Sequence, residues 1–191
     1  ISAVDFGVAQ TRSRHFLVAS KIMLPDLDKP IKDLSRQGLS FDDVNSNLTR
    51  HRNFPKILET VSQLSDKNSS RIRHLHDTGQ YDLENEKRPE CHQDGHNYPS
   101  VYGRLRGDAA SGTITTGFGS PGRGRYIHPH EPRMITAREA ARLQSFPDWY
   151  FKPIEELKIS RTRLHKIIGD AVPSLLVFPI IASLFPSIQI I

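Results

Sequence analysis

The chain has 191 residues, enough for one domain or one and a half, and carries 26 Lys and Arg against 21 Asp and Glu, a formal net charge of +5. That balance suits a polyanionic partner. The single cysteine, Cys91, excludes an internal disulfide framework and fits a reducing compartment, while the most apolar run, residues 172–191, is broken by Pro173, Pro179 and Pro186 and so lacks the ~20 unbroken apolar residues of a membrane span.

In chain order, residues 1–20 read as a turn followed by a strand, because Phe16-Leu17-Val18-Ala19 is a short apolar run of the kind buried in a sheet. Alternate residues of an extended segment point the same way, so Gln10, Arg12 and Arg14 share one face. By themselves they read as a surface ion-pair row. Asn53-Phe54-Pro55 followed by Ile57, Leu58, Val61 and Leu64 predicts a helix with proline near its first turn. Residues 62–90 are polar and rich in Asp, Asn, Ser and Lys, a composition that predicts loops and disorder. Cys91, His92 and His96, with His74 and His76 upstream, can be assembled into a zinc site on spacing alone. They form only one half of such a site, and ordinary loop residues are the favoured reading, with no metal.

Tyr102-Gly103-Arg104-Leu105-Arg106 and Gly112-Thr113-Ile114-Thr115-Thr116-Gly117 are β-branched and aromatic runs split by glycines, which predicts short strands joined by tight turns. The arginines gather here and beyond, at Arg104 and Arg106, Arg123 and Arg125, Arg133 to Arg142, and Arg161 and Arg163, a clustering that suits phosphate contacts. Thr136 followed by Glu139 is a capping box that starts a helix. Ala140, Leu143 and Gln144 follow at i+3/i+4 spacing, Arg138 and Arg142 give the helix one basic face, and Pro147 ends it. The aromatic cluster Trp149-Tyr150-Phe151 reads as core, and residues 154–168 as a polar helix.

Arg-x-Ile-Thr-x-Arg-Glu-Ala-Ala-Arg-Leu-Gln-x-Phe-Pro-Asp, from Arg133 to Asp148, resembles the ninth conserved block of the DNA cytosine-C5 methyltransferases. Gln10-Thr11-Arg12-Ser13-Arg14 resembles the family's eighth block, and Gly169-Asp170-Ala171-Val172-Pro173 its tenth. Thr113-Ile114 is similar to the threonine pair that marks the target recognition domain. The resemblance implies a mixed α/β fold: the C-terminal portion of a Rossmann-like S-adenosylmethionine-dependent core, together with a small irregular β-rich recognition domain. Residues 1–20 then give an edge strand of the core, residues 21–132 the recognition domain, and residues 133–191 a hinge helix and a segment returning to the core.

The implied roles follow residue by residue. Arg14 sits where the family contacts the flipped cytosine, with Arg12 and Gln10 in support. Gln10, Arg104, Arg106, Thr113, Thr115, Thr116, Arg123 and Arg125 face DNA. Gly169, Asp170, Ala171 and Val172 help close the S-adenosylmethionine site, and Arg133, Glu139, Arg142 and Gln144 hold the recognition domain on the core. Three departures are visible: Gly107 stands where a subgroup has Trp, Asp170 replaces the usual Asn, and Pro179 interrupts the C-terminal helix.

The family's Phe-x-Gly-x-Gly turn, Pro-Cys loop and Glu-Asn-Val glutamate have no counterpart here, and Cys91 lies downstream of the eighth block, so it is not the nucleophile. Together with a first residue that is Ile1 rather than Met, this leads to the expectation of a piece of a longer polypeptide or the second chain of a split enzyme, inactive alone. Its expected partners are duplex DNA and an N-terminal catalytic half, in a bacterial cytoplasm. A free-standing DNA-binding module without enzymatic function is the alternative.

Overall fold

The computed structural model describes residues 1–19, 21, 25–48, 54–93, 98 and 100–185. Seven α-helices are seen among them, joined by irregular segments and short 3-10 turns. α1 (Asp28–Asp33) is followed by α2 (Phe41–Asn45), which starts on a capping box between Ser40 and Asp43. α3 (Lys56–Glu59) is one turn after Pro55, and α4 (Asp66–Asp77) starts where the Ser65 side chain accepts from the Asn68 N–H. α5 (Ala137–Leu143) has the capping box expected of Thr136 and Glu139. A 3-10 stretch, Asp148–Glu155, then leads to α6 (Arg161–Asp170), capped by Ser160, and to α7 (Ser174–Leu184), which begins immediately after Pro173.

The main apolar cluster is organised around α5, which packs against α2, α3 and α6 and buries every residue except Arg142. Ala140 and Leu143 share this core with Phe41, Leu58, Ile72, Leu75, Ile114, Phe118, Ile127, Leu164 and Ile168. The cluster runs from Ala9 to Ile168, across both of the domain boundaries drawn from sequence. A smaller cluster of Ala3, Phe6, Val8 and Leu176 sits beneath α1 and α7, which pack on each other.

Several expectations are corrected. No ladder-forming strand occurs among the described residues; the mixed α/β core and the β-rich recognition domain are reduced to five isolated bridges, including Gln10 with Ser111 and Arg104 with Ile127. The segment from residue 10 to 19 nevertheless keeps the period-two alternation of an extended chain: Gln10, Arg12, Arg14, Phe16 and Val18 are the more buried residues, and the intervening positions are exposed. Leu17 is 97% exposed, and no backbone hydrogen bond joins residues 15–19 to any described residue. A strand needs a neighbour to pair with, so an apolar run without one stays extended but unpaired.

The helix expected across residues 53–64 is confined to Lys56–Glu59; its first residue, Asn53, lies outside the described residues. Conversely, the region read as loops contains α4, the longest of the helices, because Ser65 caps it and Ile72 and Leu75 at i, i+3 spacing reach the core. α5 has no free basic face, since Arg138 is buried. α7 continues through the buried Pro179 rather than stopping there. Of the aromatic trio only Phe151 is core; Trp149 and Tyr150 are exposed.

Candidate nucleic-acid interface

Three segments far apart in sequence meet at one buried junction. Gln10 is fully buried: its side-chain carbonyl accepts the Ile114 N–H at 3.0 Å, and its amide nitrogen donates to Gln144 Oε1 at 3.3 Å and to the Leu143 carbonyl at 3.4 Å. Gln144 donates in turn to the Ile168 carbonyl. Arg12 is buried beside it and donates from Nη1 to the Ile114 carbonyl at 3.1 Å and the Gly169 carbonyl at 3.4 Å. Burial, and then the nearby Arg14 charge, lowers the Arg12 pKa from its ordinary value. The bridge between Gln10 and Ser111 secures the same approach through Thr11 N–H to Ser111 O and Ser111 N–H to Ala9 O, each 2.9 Å.

Gly169 makes this approach possible. A Cβ placed there would lie 2.2 Å from the Thr116 nitrogen and 2.4 Å from the Thr115 carbonyl carbon, closer than any side chain tolerates. The loop of residues 113–116 is held on its other flank by Tyr126, whose hydroxyl donates to the Thr113 carbonyl at 3.0 Å and meets Thr115 Oγ1 at 2.9 Å. Thr115 and Thr116 themselves face outward, and Thr113 is half-buried.

The residues assigned from sequence to a DNA surface therefore divide. Gln10 lies wholly inside, its polar atoms consumed by the junction, so it is not placed to touch a duplex in this conformation. Arg104 is buried, donates to the Gly79 carbonyl at 3.1 Å and lies over the Tyr81 ring at 4.6 Å. Arg125 is held by Asp82 at 2.5 Å and by the carbonyls of Tyr81 and Arg104. Both arginines brace the loop around Tyr81. Arg106, which crosses the same ring at 4.5 Å, and Arg123 remain exposed, as do Thr115 and Thr116. Arg14 is half-buried and donates to the Ser13 carbonyl at 2.7 Å.

Arg133, Glu139 and Arg142, assigned from sequence to a hinge, belong to a charged lattice around α5. Arg133 makes two bonds to Glu139, at 2.9 and 2.7 Å, and two to Glu131, at 2.8 and 3.1 Å. Burial by itself would raise the Glu139 pKa, but the hydrogen bonds from Arg133 and His128 outweigh it and hold the carboxyl well below its usual range. His128 Nδ1 accepts the N–H groups of His130 and Glu131, leaving Nε2 to face Glu139 at 3.5 Å. On the other side Asp148 takes both Arg142 and Arg138 at 2.6 Å, and Arg138 also reaches Glu59 at 2.7 Å. Hydrogen bonds from Arg142, then Arg138, keep Asp148 well below the ordinary carboxylate range against the opposing effect of burial. Asp148, Glu59, Tyr126 and the Ile114 peptide are structural keystones that sequence reasoning missed. Their partners lie six to more than a hundred residues away, so no helical or strand period marks them.

At the turn after α6, Gly169 is buried, while Asp170 and Val172 face out and Ala171 is half-buried. Asp170 pairs with Lys166 at 2.6 Å. Among the described residues no three His, Cys, Asp or Glu side chains stand close enough to hold a metal ion. Cys91 Sγ meets His92 Nδ1 at 3.0 Å, the His92 ring stands edge-on to Tyr102, and His96 lies outside the described residues. No single described helix is long and apolar enough to cross a membrane.

A family model for C-5 cytosine-specific DNA methylase matches residues 1–186. Among curated relatives, the Type II methyltransferase M1.BsuMI of Bacillus subtilis (strain 168) is 38% identical over 175 residues, covering 91% of this chain and 40% of that protein. The Type II methylase M.HgiDII of Herpetosiphon aurantiacus is 35% identical over 176 residues, covering 88% of this chain and 49% of that protein. The chain thus spans less than half the length of these two relatives.

Proposed function

Because this chain belongs to the C-5 cytosine-specific DNA methylase family, we propose that it is the C-terminal, target-recognising part of a DNA cytosine-C5 methyltransferase of the restriction-modification kind. It grips duplex DNA and supports a cytosine turned out of the stack, while an N-terminal half supplies nucleophile, general acid and most of the cofactor site. A cytosine ring is sealed within the duplex, so attack on it requires extrusion and a protein surface that fills and braces the gap. Here the exposed Arg106, Arg123, Thr115 and Thr116 meet phosphate and base edges, Arg14 reaches the extruded base, and α5 with its charged lattice ties the recognition loops to the core.

The observation that carries this reading is the junction itself: the segments resembling the eighth, ninth and tenth blocks converge, through Gln10, Gln144 and Gly169, on the loop of residues 113–116. A second observation supports the division into halves. α7 is apolar on most of its surface and buries Leu176, Pro179 and Ile180 while leaving Leu175, Phe178, Ile181 and Leu184 exposed, and the extended residues 15–19 pair with no described residue. An apolar helix face and an open strand edge are what a sheet and its covering helix present when the rest of the sheet belongs to another part of the protein.

The turn after α6 suits one edge of S-adenosylmethionine. The exposed Val172 offers an apolar contact beside the Asp170 carboxylate, an acceptor for hydroxyl or ammonium donors, although Lys166 already claims part of it. When bound, the cofactor supplies the methyl group. The residues of this chain orient it and exclude water around it.

The test is reconstitution. Joined to an N-terminal half carrying a Phe-x-Gly-x-Gly turn and a Pro-Cys loop, the chain should give methyl transfer to duplex DNA, and Phe178→Glu with Ile181→Glu should prevent the two halves from associating. Methyl transfer by the 191-residue chain alone would overturn the proposal.

A further inference from the structure

We propose that Gln10 and Arg12 are positioning residues for target recognition: together they grip the Ile114 peptide and lock the loop of residues 113–116 to the turn at Gly169. This deepens, and rests on, the reading of the chain as the recognising part of a methyltransferase.

The Ile114 peptide is held on both sides of one residue. Its N–H goes to Gln10 and its carbonyl to Arg12. Since Gln10 and Arg12 are separated by a single residue on an extended segment, their side chains leave that segment on the same face and bracket Ile114 as a clamp. The Ile114 side chain is fully buried in the main cluster, so the clamp fixes a peptide whose neighbours are the half-buried Thr113 and the exposed Thr115 and Thr116. Each clamp residue has a second anchor. Gln10 reaches Gln144 at the end of α5, and Arg12 reaches the Gly169 carbonyl at the end of α6. The absence of a Cβ at Gly169 then lets the loop lie directly against that turn.

The arrangement has two physical consequences. The recognition loop cannot shift without breaking buried hydrogen bonds at Gln10 and Arg12, so its hydroxyls are preorganised and little ordering entropy remains to be lost on DNA binding. Moreover, the loop and the Gly169 turn move as one body, because Arg12 donates to both from a single nitrogen. The planar guanidinium suits this bridging in a way that a flexible ammonium does not.

The experiment has two arms. In the first, amide hydrogen exchange on the 191-residue chain compares wild type with Arg12→Lys. The expected result is faster exchange confined to residues 113–116 and the neighbouring turn, with α4 and α5 still protected. Unchanged exchange at the Ile114 amide overturns the clamp, and so does a uniform loss of protection. In the second, the methyltransferase assembled with its N-terminal half is presented with randomised duplex DNA, and the ratio of turnover on the preferred word to turnover on single-mismatch words is measured. Arg12→Lys should lower that ratio about tenfold, the equivalent of roughly 1.4 kcal/mol of lost discrimination. Arg14→Lys should lower turnover on all words alike. Arg12→Lys that loses turnover on every word equally would make Arg12 a base contact and sink the proposal. If Arg12→Lys fails to fold, Gly169→Ala displaces the same loop from the other side and should reproduce the lost discrimination. An assembled wild type that binds no DNA would instead refute the functional reading, whereas the exchange arm tests the clamp by itself.

Discussion

Replacing Glu139 by Gln keeps the shape of the side chain and removes its charge, which isolates the electrostatic part of the lattice around α5. Glu139 is 3% exposed and accepts two bonds from Arg133 and one, at 2.7 Å, from the Thr136 N–H of the capping box. In Glu139→Gln the amide group turns one acceptor into a donor that faces the guanidinium. Breaking a buried ion pair by removing one partner costs ~3–5 kcal/mol. Arg133 retains both bonds to the exposed Glu131, so the lower end, about 3 kcal/mol, applies here. With a urea slope of about 2 kcal/mol per molar, the unfolding midpoint should fall by roughly 1.5 M. A fall under about 0.5 M would mean that the pair contributes no more than a surface salt bridge and would refute the reasoning. A double-mutant cycle with Arg133→Met separates the pair from the cap, because the double variant leaves no buried charge unpaired. The pH dependence gives an independent check. The folded-state pKa of Glu139 is depressed, so its contribution is fully present above the unfolded value of about 4.3 and is lost as pH falls toward the folded value. The gap between wild type and Glu139→Gln should stay constant from neutral pH to about 5 and narrow below that.

Two further outcomes follow from the same structure. Gly169→Ala places a methyl group against the backbone of Thr115 and Thr116 with no flexible side chain to yield, so it should destabilise by about 1–3 kcal/mol, read as a lower thermal midpoint. His165 stacks on Phe118 at 4.2 Å; burial, with the Arg161 charge second, pushes its pKa down to about 4. Its folded pKa lies below the unfolded value of about 6.5, so the unfolded state binds more protons between the two, and stability should decline as pH falls through that window. In His165→Phe that decline should flatten; an unchanged profile would assign it to other groups.

The sequence by itself determined the local and the chemical. Thr136 and Glu139 announced the start of α5, because a capping box is written within four residues, and three short segments resembling conserved blocks, in order along the chain, pointed to the family. Alternation along Gln10, Arg12 and Arg14 was legible for the same reason, since side-chain direction in an extended chain depends only on position. What only the tertiary structure decided was the fate of each charge. Arg104, Arg138 and Gln10 looked like surface chemistry and proved to be internal braces, and the half-buried Arg125 is likewise tied down, because their partners Gly79, Glu59, Ile114 and Asp82 come from distant segments. The strand expected at residues 16–19 is the converse case. Its apolar run was plain, yet pairing is a property of two segments, and no described residue offers the second. α4 arose where composition predicted disorder, because two apolar side chains at helical spacing found a core to enter, and the energy of that burial is set by the surface they meet rather than by their own sequence.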